Sequence, residues 1–269
     1  MEFKDKQFDG PYEVTEIQIE NDGEILRGML YFPSEAYEKP YPLVFYFHGF
    51  PQLLALQELI KRYRVLLDLG YALIVFNFRG FSISEGEFSL DNCVSDGEKL
   101  IKFAKKMAEK KIFNINDINI ISFDFGTYVS LILSSKLKQI NRLFLLSPIL
   151  NLKEIVYRDE FKKNLSYINR YLPGSVRGIE DIELFLETTK KELSKKQFQI
   201  QDSIKNLFVD KIKIVIGTED KLTSISTLKD FFKSSNIDPE ITIIDNMEHE
   251  PFEDEEISRV NEEIKQFFQ

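Results

Sequence analysis

The sequence predicts an α/β fold: a mostly parallel, doubly wound sheet, led by an antiparallel hairpin and interrupted by one helical insert. Three observations predict it. Two alternating segments, residues 12–20 and 24–32, flank an Asn-Asp-Gly turn. After them, short runs of nearly continuous apolar, β-rich character recur at 42–47, 71–78, 118–123, 142–147, 211–217 and 240–245. Segments with a helical apolar stripe separate most of these runs.

Each element has its own reason. Alternation with period two marks a half-buried strand, and a turn ending in Asp-Gly supplies the positive φ angles of a tight hairpin. Runs that are apolar at successive positions are buried on both faces, as in a parallel sheet covered by helices. Residues 53–70 carry a 3.6-residue stripe that stops at Gly70, and residues 90–111 start near Asp91 and keep their charges on one face. Helices at 126–138, 222–234 and 253–268 complete the set. Between the strands ending near Ser147 and starting at Lys211 lie about sixty residues, far above the usual connection of about 2–6. Helical patterns at 152–171 and 179–205, divided by Leu-Pro-Gly-Ser, make residues 150–208 a helical insert, or lid. With no repeat, linker or low-complexity tract, residues 1–269 read as a single domain around that insert.

Composition narrows the function. A net charge of −9, with no dense Lys/Arg run, opposes nucleic-acid and anionic-lipid partners. The single cysteine, Cys93, cannot form an intramolecular disulfide and reads as a small buried residue. The N-terminal Met-Glu-Phe-Lys-Asp-Lys lacks an apolar leader, and no apolar run is long enough to span a membrane. The expectation is a cytoplasmic protein acting on a small molecule, with its oligomeric state open.

In parallel sheets, ligands and chemistry collect beyond the carboxyl ends of the strands. Five loops at such ends hold unusual residues: Phe-His-Gly-Phe-Pro-Gln at 47–52, a Gly- and Ser-rich loop at 77–88, Asp124, Gly-Thr-Glu-Asp-Lys-Leu-Thr-Ser at 217–224, and Asp-Asn-Met-Glu-His-Glu-Pro-Phe at 245–252. At 121–130, "ISFDFGTYVS", a buried strand turns abruptly into a helix with Asp124 at the corner. Together these residues resemble the α/β-hydrolase superfamily over nearly the whole chain. That family carries G-x-S-x-G at such a corner and orders its site residues nucleophile, acid, histidine. The resemblance implies Asp124 as nucleophile, Asp220 as acid and His249 as histidine, with the Phe50 and Phe125 N–H groups forming the oxyanion hole. Only two histidines exist, His48 and His249, and both fall on family motifs.

Two branches are mixed. The hairpin start and Arg-Gly-Phe-Ser-Ile-Ser-Glu-Gly resemble the esterase and serine-aminopeptidase branch. His-Gly-Phe-Pro with an Asp at the corner resembles epoxide hydrolases and dehalogenases. The chain has no Trp, and Thr127, Tyr128 and Val129 stand where fluoroacetate-type dehalogenases carry arginines, which argues against a halide or carboxylate-bearing substrate.

Aspartate changes the chemistry. Serine must lose a proton to attack, whereas an aspartate side chain, with a reference pKa of about 3.9, is ordinarily ionised near neutrality. Carboxylate attack on an acyl carbon gives a high-energy mixed anhydride, while attack on a saturated carbon gives an ordinary ester that His249 and Asp220 can hydrolyse with water. The expectation is therefore hydrolysis of a small alkyl electrophile such as an epoxide, with Tyr157, Tyr167 and Tyr171 of the insert as candidate substrate-binding proton donors. Two alternatives stand beside it: a carboxylesterase-like acyl hydrolase in which Asp124 serves as base for water, and an inactive binding protein on the same fold. None requires a metal or organic cofactor.

Overall fold

A computed structural model describes residues 7–269. The hairpin forms as expected: β1 (Gln7–Asp9), β2 (Tyr12–Asn21) and β3 (Glu24–Tyr31) are antiparallel, with Asp22 and Gly23 at positive φ in the turn. β4 (Tyr41–Phe47), β5 (Ala72–Phe76), β6 (Phe113–Phe123), β7 (Arg142–Leu146), β8 (Lys211–Gly217) and β9 (Glu240–Ile244) pair in parallel. Among the described residues the strands follow the order β1-β2-β3-β5-β4-β6-β7-β8-β9, with β3 antiparallel to β5 at the junction. β1 is a short strand that the alternation pattern did not reveal.

Helices cover both faces. They are α1 (Leu56–Arg62), α2 (Val65–Asp68), α3 (Leu90–Glu109), α4 (Phe125–Ser134), α5 (Leu152–Val156), α6 (Asp159–Tyr171), α7 (Ile182–Ser194), α8 (Ile200–Ser203), α9 (Ile225–Phe232) and α10 (Asp254–Phe268). The stripe at 53–70 is two short helices rather than one, because the chain leaves helical geometry at Tyr63 (φ −110°, ψ 17°). α3 starts earlier than Asp91: Ser89 caps it, its hydroxyl accepting from Asn92 N–H at 3.1 Å. The helical insertion between β7 and β8 carries α5 to α8.

Alternation along β4 divides the core. Leu43, Phe45 and Phe47 join one hydrophobic cluster and Val44 and Tyr46 another, so both faces of the sheet are sealed from water. Asn119 and Ser122 of β6 are also fully buried. The sheet therefore holds its loops on a rigid platform. Cys93 is buried and unpaired, as expected. Among the described residues, no helix is long and apolar enough to cross a membrane.

One close contact fixes where α4 begins. A Cβ on Gly126 would lie 2.2 Å from the Phe47 carbonyl oxygen and 2.7 Å from that of His48. Backbone atoms of a central strand cannot yield, so Gly126→Ala is expected to destabilise the fold by about 3 kcal/mol, the upper end of ordinary overpacking. A shift of the urea midpoint with unchanged slope would register it; a midpoint equal to wild type would show that α4 does not pack this closely.

Candidate active site

The site is assembled from four loops, at the carboxyl ends of the parallel strands β4, β6, β8 and β9. β6 ends at Phe123, and Asp124 turns the chain into α4 with φ 50° and ψ −120°, a region that non-glycine residues rarely enter. The turn is held on both sides. Asp124 N–H donates to Leu146 O at 3.2 Å, while Asp124 O accepts from Thr127 N–H at 3.1 Å and Thr127 Oγ1 at 2.5 Å. Thr127 Oγ1 also accepts from Ile149 N–H at 3.1 Å, tying the corner to the base of the insertion. Backbone strain is tolerated here because the surroundings over-determine it.

Asp124, Asp220 and His249 meet. His249 Nδ1 lies 2.9 Å from Asp220 Oδ2, and Nε2 lies 3.1 Å from Asp124 Oδ1. Asp220 is anchored from behind, its Oδ1 accepting from Leu222 N–H at 2.8 Å and Thr223 N–H at 3.0 Å. Burial opposes charge on the imidazole, but the hydrogen bonds and charges of Asp124 and Asp220 outweigh it and lift His249 to about 10. Burial likewise pushes the Asp220 carboxyl up. The His249 hydrogen bond and charge, with the Thr223 and Leu222 amides, outweigh that and hold it below the usual range. At neutral pH His249 is therefore an imidazolium between two carboxyl groups, a stored proton rather than a free base. The Phe123 ring flanks it, centroids 5.6 Å apart.

The fourth participant is backbone. Phe50 N–H donates to Asp124 Oδ2 at 2.6 Å, so one carboxyl oxygen occupies the position an oxyanion takes. This approach requires Gly49, since a Cβ there would meet Asp124 Oδ2 at 2.6 Å. Phe125 opens α4, where first-turn N–H groups have no partner within the helix, and it borders the same cavity.

That cavity, about 290 Å³, opens onto Asp124. Phe50, Phe88, Phe125, Ile149, Phe161 and Phe185 form much of its wall, with Arg158, Glu160 and Lys221 among its polar members. Phe88 stacks on Phe50 at 5.0 Å and meets Phe125 edge-on at 5.4 Å. Among the described residues no tyrosine lines it. Tyr157, Tyr167 and Tyr171 are more than half exposed. Tyr157 lies under Lys190 Nζ at 4.3 Å, and Tyr167 pairs with Tyr171 at 4.8 Å. The buried stripe of α6 runs through Phe161, Leu165 and Ile168, which turns the other side of the helix, with both tyrosines, to solvent. The insertion thus brings Phe161 and Phe185 to the wall, with Leu152, Ile155 and Val156 beside them, and no tyrosine; nothing in the sequence assigns Thr127 its role in bracing the corner.

Fold and site together define a hydrolase-type architecture: a strained corner residue, an acid–histidine pair and a backbone donor converge on one apolar cavity. A family profile described as alpha/beta hydrolase fold matches residues 42–179, and the chain belongs to that family of enzymes. A lysophosphatidylserine lipase of Danio rerio is 28% identical over 145 residues, which cover 52% of this chain and 36% of that protein. The chain thus spans little more than a third of this relative's length. Among solved structures, Est1E of Butyrivibrio proteoclasticus with bound ferulic acid superposes with a TM-score of 0.71 at 18% identity, covering 93% of this chain and 97% of that one. The esterase Pf2001 of Pyrococcus furiosus gives 0.65 at 20%, covering 95% and 93%. These proteins carry esterase and lipase names. They support the esterase half of the resemblance read from sequence and give no support to the epoxide-hydrolase and dehalogenase half.

Proposed function

We propose that this chain hydrolyses small carboxylic esters with an apolar acyl or alcohol part, using Asp124 and His249 as a base–acid pair. The observation that carries the reading is the His249 ring held between the Asp124 and Asp220 carboxyl groups beside an apolar cavity. The ester carbonyl takes the Phe50 and Phe125 N–H groups, displacing Asp124 Oδ2. The Asp124 carboxylate accepts a proton from water as that water attacks the acyl carbon. The tetrahedral intermediate collapses and His249 gives its Nε2 proton to the departing alkoxide. The proton on Asp124 then returns to His249 across their 3.1 Å contact, restoring the resting state. In this reading residues 150–208 form a lid within one α/β domain. The esterase and lipase names of the relatives favour an acyl substrate.

One observation favours a second reading. Asp124 Oδ2 already sits at the Phe50 N–H, where the carbonyl oxygen of an aspartyl ester needs stabilisation during its hydrolysis. Attack by Oδ1 on a saturated carbon forms that ester and expels the leaving oxygen on the far side, into the cavity, where water protonates it. Neutralising Asp124 also removes one of the two charges that keep His249 protonated, freeing it as base for water.

Repeated turnover in ¹⁸O-water separates the two. The base–acid route places heavy oxygen in the product acid and none in the protein. The covalent route places it in Asp124, detectable by peptide mass analysis of residues 118–136. Label in Asp124 would overturn the first reading.

A further inference from the structure

His48, the histidine outside the Asp124–His249–Asp220 constellation, has no part in the scheme above. It is fully buried, with its ring edge-on to Phe78 at 4.8 Å and Phe81 at 4.7 Å. Both nitrogens are engaged: Phe78 N–H donates to Nε2 at 3.0 Å, and Nδ1 lies 2.8 Å from Gly49 O. A backbone N–H can only donate, so Nε2 is bare; a carbonyl can only accept, so Nδ1 carries the hydrogen. Burial pushes the imidazole down to about 4, against the smaller opposing effects of the Gly49 carbonyl and the Asp124 charge, so the ring holds one proton at neutral pH.

The Gly49 carbonyl and the Phe50 N–H are opposite ends of one planar peptide unit. His48 grips the carbonyl end, and the N–H end points at Asp124 Oδ2, 2.6 Å away. We propose that His48 is a positioning residue whose Nδ1–H fixes the plane of the Gly49–Phe50 peptide and so aims the Phe50 N–H at the site where charge develops. Glycine at 49 leaves that plane soft, because no Cβ restricts its backbone. An external hold is therefore needed, and a second hydrogen bond along the same unit also strengthens the N–H as a donor. The kinetic consequence rests on the hydrolase reading; the geometric one does not.

The test has two arms. In ¹⁵N-labelled wild-type protein, long-range ¹H–¹⁵N spectra between pH 5 and 8 should show His48 Nδ1 protonated and Nε2 bare. The opposite tautomer overturns the proposal without any variant. Asparagine places its amide nitrogen near Nδ1, whereas glutamine reaches Nε2 instead. His48→Asn should therefore keep the downfield Phe50 amide resonance and hold kcat within about five-fold on a responsive ester. His48→Gln should move that resonance upfield and lower kcat by about 10–100-fold with KM little changed, part of the roughly 100–1,000-fold typical of an oxyanion donor. Equal losses in two equally stable variants would show a purely structural role and overturn the proposal. If no ester is hydrolysed, the tautomer and the amide shift still decide the positioning role, so the two readings fail separately.

Discussion

Exchanging Asp124 for serine should give an esterase at least about 100-fold faster on a small activated ester than the Asp124→Ala protein. The corner is already shaped for a nucleophile, with φ 50° and ψ −120° at residue 124. A shorter side chain vacates the Phe50 N–H now taken by Asp124 Oδ2, opening it to a substrate oxyanion. Removing one of the two carboxyl groups that lift His249 to about 10 lowers its pKa towards neutrality, while Asp220 still orients Nδ1 at 2.9 Å. The imidazole then becomes the base that a serine hydroxyl requires. The double variant Asp124→Ser/His249→Ala should return to the Asp124→Ala rate, since without a base the hydroxyl is a poor nucleophile. A folded Asp124→Ser protein no faster than either control would mean that the parts lie together but do not work together, and the binding-protein reading would prevail.

Much of this was legible in the sequence, for reasons that differ by residue. The parallel strands declare themselves because burial on both faces leaves no room for polar side chains at successive positions, as in β5 and β7. Asp220 and His249 are legible because they follow such strands directly, where chain order and strand ends together limit the choices. Residues whose role depends on orientation are not legible. Tyr157, Tyr167 and Tyr171 have the right chemistry in the right segment, yet the helical phase set by Phe161, Leu165 and Ile168 sends Tyr167 and Tyr171 to solvent. The break at Tyr63 leaves the apolar stripe of residues 53–70 intact, so periodicity alone does not reveal it. Nor does sequence tell which Asp124 oxygen meets a backbone donor, the detail on which the choice between base and nucleophile turns.

Raising the pH should weaken the wild-type fold in a way that His249→Gln does not. His249 is lifted from an ordinary 6.5 to about 10 by Asp124 and Asp220, so its protonated form is bound more tightly in the folded than in the unfolded state. For a group raised on folding, the stabilisation is complete below the unfolded pKa, declines above it, and is gone once pH passes the folded pKa. The decline therefore runs from about pH 6.5 to about pH 10, and its size should be about 2–4 kcal/mol after allowance for a side chain partly open to water. Asp220 acts at the other end, because its lowered pKa gives stabilisation that is lost only as pH falls through the acid range. Urea unfolding between pH 6 and 10 should show this alkaline slope in wild type, and the His249→Gln protein should lack it, so that lysines and tyrosines titrating in both cancel in the comparison. The rates should follow the same logic in mirror image. Ester hydrolysis that draws its proton from imidazolium falls as pH approaches 10, whereas the Asp124→Ser enzyme, which needs neutral imidazole, gains rate as pH rises through its lower pKa. An imidazole that titrates near 6.5 in the wild-type protein, followed by NMR, would remove both the slope and the stored proton on which the base–acid scheme depends.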